Sequence, residues 1–409
     1  MTHAEPSPTS PARERAIAFG RATFGAGWTP LRWAIAPGRL ELLGNHVDYN
    51  GGPVLAGAID RTVAIGIAPR PDGVIRAVAG DVTPTPWMVD PATLGDWHAD
   101  EKEGTPDAYA RGIIATLRAR GIALRGADLA IAGDVPLGFG MSSSAALCVG
   151  LVLALADAEL SPRDTVIVAR EAEHRAGAPV GAMDQSASVA GGIILFDGAT
   201  TTFQQLQPDL GDLAFAVADS GVQHSNATSS YPTRVQESQE ALAILREKLG
   251  TDLPSLGEID AAQWAKIEAQ GEAWLPAPLF ARVRHVVTEV RRVRAGIAAV
   301  ETSDWVAFGR LMTASGHSSA TDYAISDPRV EDLVAEMNAL PGVLGARMMG
   351  GGEGGPALAL IERARAEAIG EALAAGFFAR NPSATPEAER FQVCVFGPGA
   401  HLEDYRALR

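Results

Sequence analysis

GDVPLGFGMSSSAAL, residues 133–147, is a glycine- and serine-rich turn that runs directly into the apolar stretch 145–156. Gly138 and Gly140 let the backbone take positive φ or come close to a ligand, and Ser142, Ser143 and Ser144 put hydroxyls where a helix would begin. The first amides of such a helix lack intrahelical partners, so together with the helix dipole they attract an anion. With no lysine present, the GxxxxGK[ST] loop is excluded, which leaves backbone amides, hydroxyls and a metal ion to hold a phosphate. A capped helix after a flexible turn would carry the same letters, so the decision falls to the flanking segments.

Immediately upstream, 127–132 reads as a short strand, and the order strand, glycine turn, helix suits a nucleotide phosphate. Residues 31–70 consist of short apolar runs broken by glycine turns, which predicts consecutive strands. Between them Arg39, Asn45, His46, Asp48, Tyr49 and Asn50 crowd together ahead of Gly51 and Gly52. Asp and Asn alone would mark an ordinary turn. A guanidinium, an imidazole and a carboxylate in one short segment offer both donors and acceptors, as the hydroxyls of a sugar require. Residues 74–90 read as a further strand and its turn. Residues 106–121 read as a helix with Tyr109, Ile113, Ile114 and Leu117 on one face, where Tyr109 is either core or a platform for a base.

Downstream, 162–176 is helical in pattern and contains Glu171, Glu173 and His174, and the loop and small-residue segment 177–192 holds Asp184. Glu173, near a helix end, suits Mg²⁺ beside a serine hydroxyl, because that ion takes hard oxygens and few protein ligands. Asp184, in the loop that follows, suits a base or an anchor for a substrate hydroxyl. A solvated helix face and a helix cap are the structural alternatives for these two carboxylates. Residues 193–196 and 213–218 read as buried strands. His224, Ser225, Tyr231 and Arg234 lead into a helix expected from about residue 235 to 249, and another is expected over 283–301, both with solvated charges outside. The run GARMMGGGEGGPALALI, 345–361, reads as a loop packed against another backbone and entering a strand, and 391–396 as a late strand.

A chain of 409 residues exceeds one ordinary core and implies two domains. Hydrophobic content of 47% with 20% charged residues is that of a soluble globular protein. The 34 basic and 49 acidic residues leave a net charge of −15, which disfavours nucleic acid and anionic membranes as partners without excluding a local site for a small anion. Cys148 and Cys394, far apart and without CxxC or Cys/His spacing, exclude a disulfide framework and argue against structural zinc. Residues 1–15, rich in Pro, Ser and Thr, read as a disordered tail and lack the apolar core of a signal peptide. No apolar run reaches the roughly 18 residues of a membrane span, and the cytoplasm is the expected compartment. No helix shows a heptad seam, so the oligomeric state stays open.

Three segments in order, 37–59, 135–147 and 345–360, resemble the signatures of the GHMP small-molecule kinases, the first in its galactokinase form. The galactokinase pattern runs approximately GRxNLIGEHTDYxxGxVLPxAI, and residues 38–59 here read GRLELLGNHVDYNGGPVLAGAI. The likeness continues through Glu173-His174, the run GAMDQ at 181–185, and 224–234. It implies a two-lobed α+β GHMP kinase fold: a tail (1–19), a ribosomal protein S5 domain 2-like N-terminal lobe (20–205) with the sugar site and phosphate loop, and a ferredoxin-like C-terminal lobe (206–409). The implied activity is an ATP-dependent sugar 1-kinase acting on the anomeric hydroxyl of galactose or a close relative. By the same resemblance Asp184 is the catalytic aspartate and Arg39 its cationic partner, and Ser144 and Glu173 are the magnesium ligands. Pro136, Gly138, Gly140, Ser142, Ser143 and Ser144 cradle ATP beside Tyr109, while Asn45, His46, Asp48, Gly181 and Tyr231 hold the sugar. ATP and Mg²⁺ are the implied cofactors.

Asn45 stands where the pattern has a glutamate that meets the C6 end of galactose. An amide there no longer repels a carboxylate, so galacturonate or another C6-altered sugar is the alternative substrate. A catalytically silent sugar sensor is a further alternative, disfavoured by the joint presence of Arg39, Ser144, Glu173 and Asp184. Mevalonate or homoserine phosphorylation fits the cradle but not 45–49 or Tyr231. Met349 and Glu353 replace a threonine and a phenylalanine of the third signature, and Pro106 stands where galactokinases often have tryptophan.

Overall fold

Along 32–43 successive side chains leave opposite faces of an extended chain: Trp33 and Ile35 enter one buried cluster, Ala34 and Ala36 another. This alternation sets the two faces of the larger sheet in the computed structural model, which describes residues 10–100, 104–178, 180–222 and 230–405. The first half of the chain contributes α1 (Pro11–Phe24), β1 (Arg32–Leu43), β2 (Pro53–Pro69), β3 (Ile75–Ala79), β4 (Thr83–Val89), α2 (Pro106–Ala119), β5 (Ala127–Gly133), α3 (Ser143–Leu155), α4 (Pro162–Arg175), α5 (Met183–Ala190), β6 (Ile193–Asp197) and β7 (Thr202–Leu206). The second half contributes β8 (Leu213–Asp219), α6 (Tyr231–Leu249), α7 (Ala261–Gln270), α8 (Ala277–Glu301), α9 (Trp305–Thr321), α10 (Pro328–Ala339), β9 (Val343–Met348), β10 (Pro356–Glu362), α11 (Ala366–Leu373), β11 (Phe391–Cys394) and β12 (His401–Asp404).

The larger sheet has the order β12-β1-β2-β5-β3-β4, with only the β3 and β5 pair parallel. The length of β2 lets it serve two neighbours: its end pairs β5, and its start pairs β6, which carries β7. On the face of Ala34 and Ala36 lies α3, apolar on every side because α2, α4 and the sheet surround it. The smaller sheet, β11-β8-β10-β9, is antiparallel. One of its faces packs Ala357 and Ala359 on Leu333 and Met337 of α10. The other places Leu358, Leu360, Phe215 and Val217 in the cluster that also holds Ala34 and Ala36. The two lobes are therefore joined by a continuous apolar core, and the polar cleft lies above it.

Three expectations are corrected. Residues 11–19 are part of helix α1 rather than a tail: Ser10 caps it, Pro11 starts it, and Ala12, Ala16 and Gly20 form a small-residue stripe against Trp28 and Trp33. Composition suggested disorder, but it is this spacing that the tryptophans select. Second, 74–90 forms two strands. Third, the C-terminal segment does not stay in its own lobe, because β12 returns to pair with β1 from Arg32↔Asp404 to Ile35↔His401. The α6 helix also starts at Tyr231, ahead of the expected residue 235. Residues 1–9, and with them the start of the expected tail, lie outside the described residues, as do His224 and Ser225. Both cysteines are buried and free, and no helix among the described residues is long and apolar enough to cross a membrane.

A Cβ at Gly20 would fall 2.2 Å from the Trp28 ring. Alanine gains about 1 kcal/mol in helix propensity, whereas forcing an atom into a filled contact costs about 1–3 kcal/mol. Gly20→Ala is therefore expected to lower the melting temperature, and a rise in thermal unfolding experiments would contradict the packing of α1.

Candidate active site

Between β5 and α3 the chain takes left-handed backbone angles at Gly138 (φ 79°), Gly140 (φ 58°) and Ser142 (φ 55°). Ser142 is the N-cap residue of α3, yet its hydroxyl donates to Asp184 Oδ2 and makes no cap. The first amides of α3 thus keep no side-chain partner, and Ser142, Ser143 and Ser144 line a cavity of about 310 Å³. The turn can receive an anion as the spacing predicts.

Arg39 reaches across this cavity from β1. Its Nε and Nη2 donate to Asp184 Oδ1 and Oδ2, each at 2.8 Å, and Nη1 donates to the carbonyl of Gly140 at 2.5 Å. One guanidinium thereby ties β1, the phosphate turn and α5 together. The expectation of a loop around Asp184 is corrected: it lies in the first turn of α5. Its side chain remains 28% exposed. Of the four lone-pair sites on its carboxylate, three donors occupy three, leaving one for a substrate hydroxyl.

Asp48 and Gly181 meet on the neighbouring wall. Burial, then the charge of Asp184, pushes the Asp48 carboxyl up to about 7. His46, at φ 60°, hydrogen-bonds Tyr49 Oη through Nδ1 at 2.9 Å, and its ring lies 5.1 Å from that of Tyr231. Asn50 Nδ2 donates to the His46 carbonyl at 2.8 Å, so Asn50 and Tyr49 brace the turn. Tyr231, the first residue of α6, lies against the backbone of Gly181. Its helix is started from the third glycine-rich segment, where Glu353 Oε2 accepts the amide of Ser230 at 2.7 Å. That contact gives the departure at 353 a structural task.

Glu173 is buried beneath the serines. Burial raises its carboxyl to about 7, against the hydrogen bonds from Gln185 Nε2 at 2.6 Å and from Ser144. Ser144 also contacts Tyr109, whose phenol burial pushes up. Tyr109 is 6% exposed and packs in the main core while also lining the cavity. A carboxylate, a hydroxyl and the buried Gln185 Oε1, which has no hydrogen-bond partner among the described residues, are hard oxygens that fit Mg²⁺. No group of three His, Cys, Asp or Glu side chains gathers among the described residues, so such an ion would complete its shell with water and nucleotide oxygens.

Pro136, Gly138, Gly140, Ser142, Ser143, Ser144, Glu173, Gly181, Asp184, Arg39, His46, Asp48 and Tyr231 all line this single cavity. Asn45 does not. It is fully buried, its Nδ2 donating to Glu41 Oε1 (3.0 Å) and the Gly350 carbonyl (2.9 Å) and its Oδ1 accepting from Ser319 (3.0 Å). Its assignment as a sugar contact is corrected, because every polar atom of its amide is spent inside the protein. Sequence reasoning missed Glu41, which does line the cavity. Its signal was its place two residues after Arg39 on one strand.

The galactokinase galactose-binding signature matches residues 21–69, the GHMP kinases N terminal domain 108–192 and the GHMP kinases C terminal domain 297–379. A galactokinase of Roseiflexus sp. (strain RS-1) is 35% identical over 352 residues, covering 84% of this chain and 86% of that protein. The Homo sapiens galactokinase is 36% identical over 360 residues, covering 85% and 87%. The solved structure of Lactococcus lactis galactokinase complexed with galactose is similar with a TM-score of 0.83 at 25% identity, over 95% of this chain and 98% of that one. A Methanococcus jannaschii mevalonate kinase shares the fold alone, with a TM-score of 0.59 at 17% identity over 91% and 99%.

A Cβ at Gly181 would fall 1.7 Å from Asp48 Oδ2. Gly181→Ala is expected to displace that carboxylate and raise the sugar KM by roughly tenfold or more, in line with losing a hydrogen bond to a charged group, with little change in the KM for ATP. Equal changes in both would contradict it. Asp48 holds its proton more tightly folded than unfolded, where its ordinary value is 3.8. Its contribution to stability is thus full below pH 3.8 and lost as the pH rises through about 7. Asp48→Asn is expected to raise the melting temperature at pH 8 more than at pH 5, while weakening sugar binding. A gain independent of pH in calorimetry would overturn this.

Proposed function

The chain belongs to the galactokinase family of the GHMP kinases and is a sugar kinase that transfers a phosphoryl group to an alcohol, and on that premise we propose that it phosphorylates the anomeric hydroxyl of galactose from ATP with Asp184 and Arg39 at the reacting centre. The observation that carries this reading is the two-point Arg39–Asp184 pair facing the uncapped start of α3 across one cavity. Phosphoryl transfer passes through a loose transition state, so the protein's task is to align donor and acceptor and offset charge.

His46, Asp48, Gly181 and Tyr231 orient the sugar, with the anomeric hydroxyl directed at Asp184. The open lone pair of Asp184 takes the hydroxyl proton as the oxygen attacks the γ-phosphorus, whose bond to the β–γ bridging oxygen breaks to release ADP. Arg39, fixed by the carbonyl of Gly140, keeps that carboxylate in place and offsets charge on the transferring group. The amides of α3 with Ser143 and the Gly138 to Gly140 turn hold the ATP phosphates, and Pro136 and Tyr109 lie beside the nucleotide. Glu173 and Ser144 would hold Mg²⁺, which when bound would neutralise phosphate charge. Dependence on ATP points to a cytoplasmic setting.

The galacturonate alternative drew on an amide at Asn45 facing the sugar, and that amide is spent inside the protein. A silent sensor would have no use for a base, its guanidinium and a metal pair held together.

Asp184→Asn keeps the shape and removes the base. Sugar-dependent ADP formation is expected to fall by roughly 10²–10⁴-fold, with ATP affinity within a few-fold of the parent. Turnover retained in the variant would remove the assigned base.

A further inference from the structure

Glu41 and Arg39 stand two apart on β1, so their side chains leave the same face, and both line the cavity. Between them β1 pairs regularly with β2, Arg39 opposite Ala58 and Glu41 opposite Ala56, with register irregularities on either side. Such irregularities re-aim side chains. The Glu41 side chain is 6% exposed and pairs with Arg347, which is fully buried. Arg347 Nη2 donates to Oε1 at 2.6 Å and to the Glu41 carbonyl at 2.8 Å, and Asn45 Nδ2 donates to the same Oε1 at 3.0 Å. Oε2 takes no hydrogen bond from the protein among the described residues and is not a sealed atom. A carboxylate locked by one oxygen, with the other open to a cavity, lacks a donor.

From this geometry, and resting on the sugar-kinase reading, we infer that Glu41 is a specificity-determining residue: its open oxygen accepts a hydroxyl hydrogen of a neutral sugar, and its charge excludes sugar acids. The galactokinase pattern has asparagine at position 41 and glutamate at 45. This chain has exchanged the two, and the exchanged side chains hydrogen-bond each other. The exchange keeps a carboxylate at the pocket wall while moving it onto the strand that carries Arg39. With Asp184 on the adjoining wall, a substrate carboxylate would meet the like charges of Glu41 and Asp184, joined by Asp48 as the pH rises through about 7. Among the described residues no free lysine or arginine head lines the cavity, since Arg39 is already engaged.

The test is calorimetric sugar binding without nucleotide, which needs no turnover, using galactose, its four ring-numbered deoxy analogues at C2, C3, C4 and C6, and galacturonate. In the unaltered protein one deoxy analogue is expected to bind about tenfold or more weakly than galactose, the effect of losing a hydrogen bond to a charged group, and galacturonate at least as weakly. Glu41→Gln is expected to weaken galactose about tenfold, to bind that deoxy analogue no worse than galactose, and to narrow the galactose-to-galacturonate ratio. Glu41→Asp keeps the charge and a partner for Arg347 but withdraws the oxygen, so it is expected to lose the deoxy discrimination and keep the exclusion of galacturonate. Unchanged ratios across the panel in a folded Glu41→Gln protein would overturn the inference. If that variant does not fold, unchanged deoxy discrimination in Glu41→Asp overturns it. An unaltered protein that binds no sugar overturns the sugar-kinase reading and this inference together, a pattern distinct from unchanged ratios.

Discussion

The guanidinium of Arg39 lies edge-on against the carboxylate of Asp184 with two parallel hydrogen bonds, and its third nitrogen holds the Gly140 carbonyl. Two-point pairing of this kind fixes orientation as well as distance. The backbone follows the side chain: the Arg39 amide donates to the Met141 carbonyl at 3.0 Å, and a Cβ at Gly38 would fall 2.6 Å from that same oxygen. Glycine at 38 is what lets β1 and the phosphate turn approach so closely. Losing one partner of a buried ion pair costs about 3–5 kcal/mol, less where one partner is partly open to solvent, as Asp184 is. This one contact therefore holds three segments of the first lobe in register.

Behind the cavity wall that carries His46 and Asp48, a buried polar network fixes the turn that follows β1. Glu289 of α8 accepts from the amides of Gly44 (3.0 Å) and Asn45 (3.2 Å) and from Ser315 Oγ (2.6 Å), and pairs with Arg292 at 2.6 Å. Burial works to raise its carboxyl, but Arg292, His285 and Ser315 outweigh it and hold it below the ordinary value. His285 adds a link from Ser318 to the Asn45 carbonyl. This second-lobe scaffold holds His46 at φ 60°, a conformation that costs energy outside a restraining environment. This wall of the cavity is thus built by one lobe and stiffened by the other.

Much of the site was legible because its parts are local. The turn at 138–142 announces itself by glycine spacing and hydroxyls, and Arg39, His46 and Asp48 by an unusual mixture of donors and acceptors in one short segment. Asp184 and Tyr231 stood out in their own segments, and the family resemblance added Gly181 and joined all three to that first group, which no spacing rule would do. Ser142 was read as part of a phosphate cradle, and its hydroxyl turns instead to Asp184, a partner distant in sequence. Residues 11–19 were misread as part of a tail because proline, serine and threonine suggest disorder in bulk, whereas Ser10 and Pro11 open a helix whose small residues match Trp28 and Trp33.

The sequence by itself determined the family, the order of strand, glycine turn and helix, and the chemical groups on offer, because these depend on residue type and short-range spacing. Only the tertiary structure decided which of Glu41 and Asn45 faces the cavity. That choice depends on the register irregularities along β1, on the left-handed turn at His46, and on Arg347, Ser319 and Gly350 arriving from the far half of the chain to claim their partners. A buried amide goes where its hydrogen bonds are met, and those partners assemble only when the two lobes close on each other.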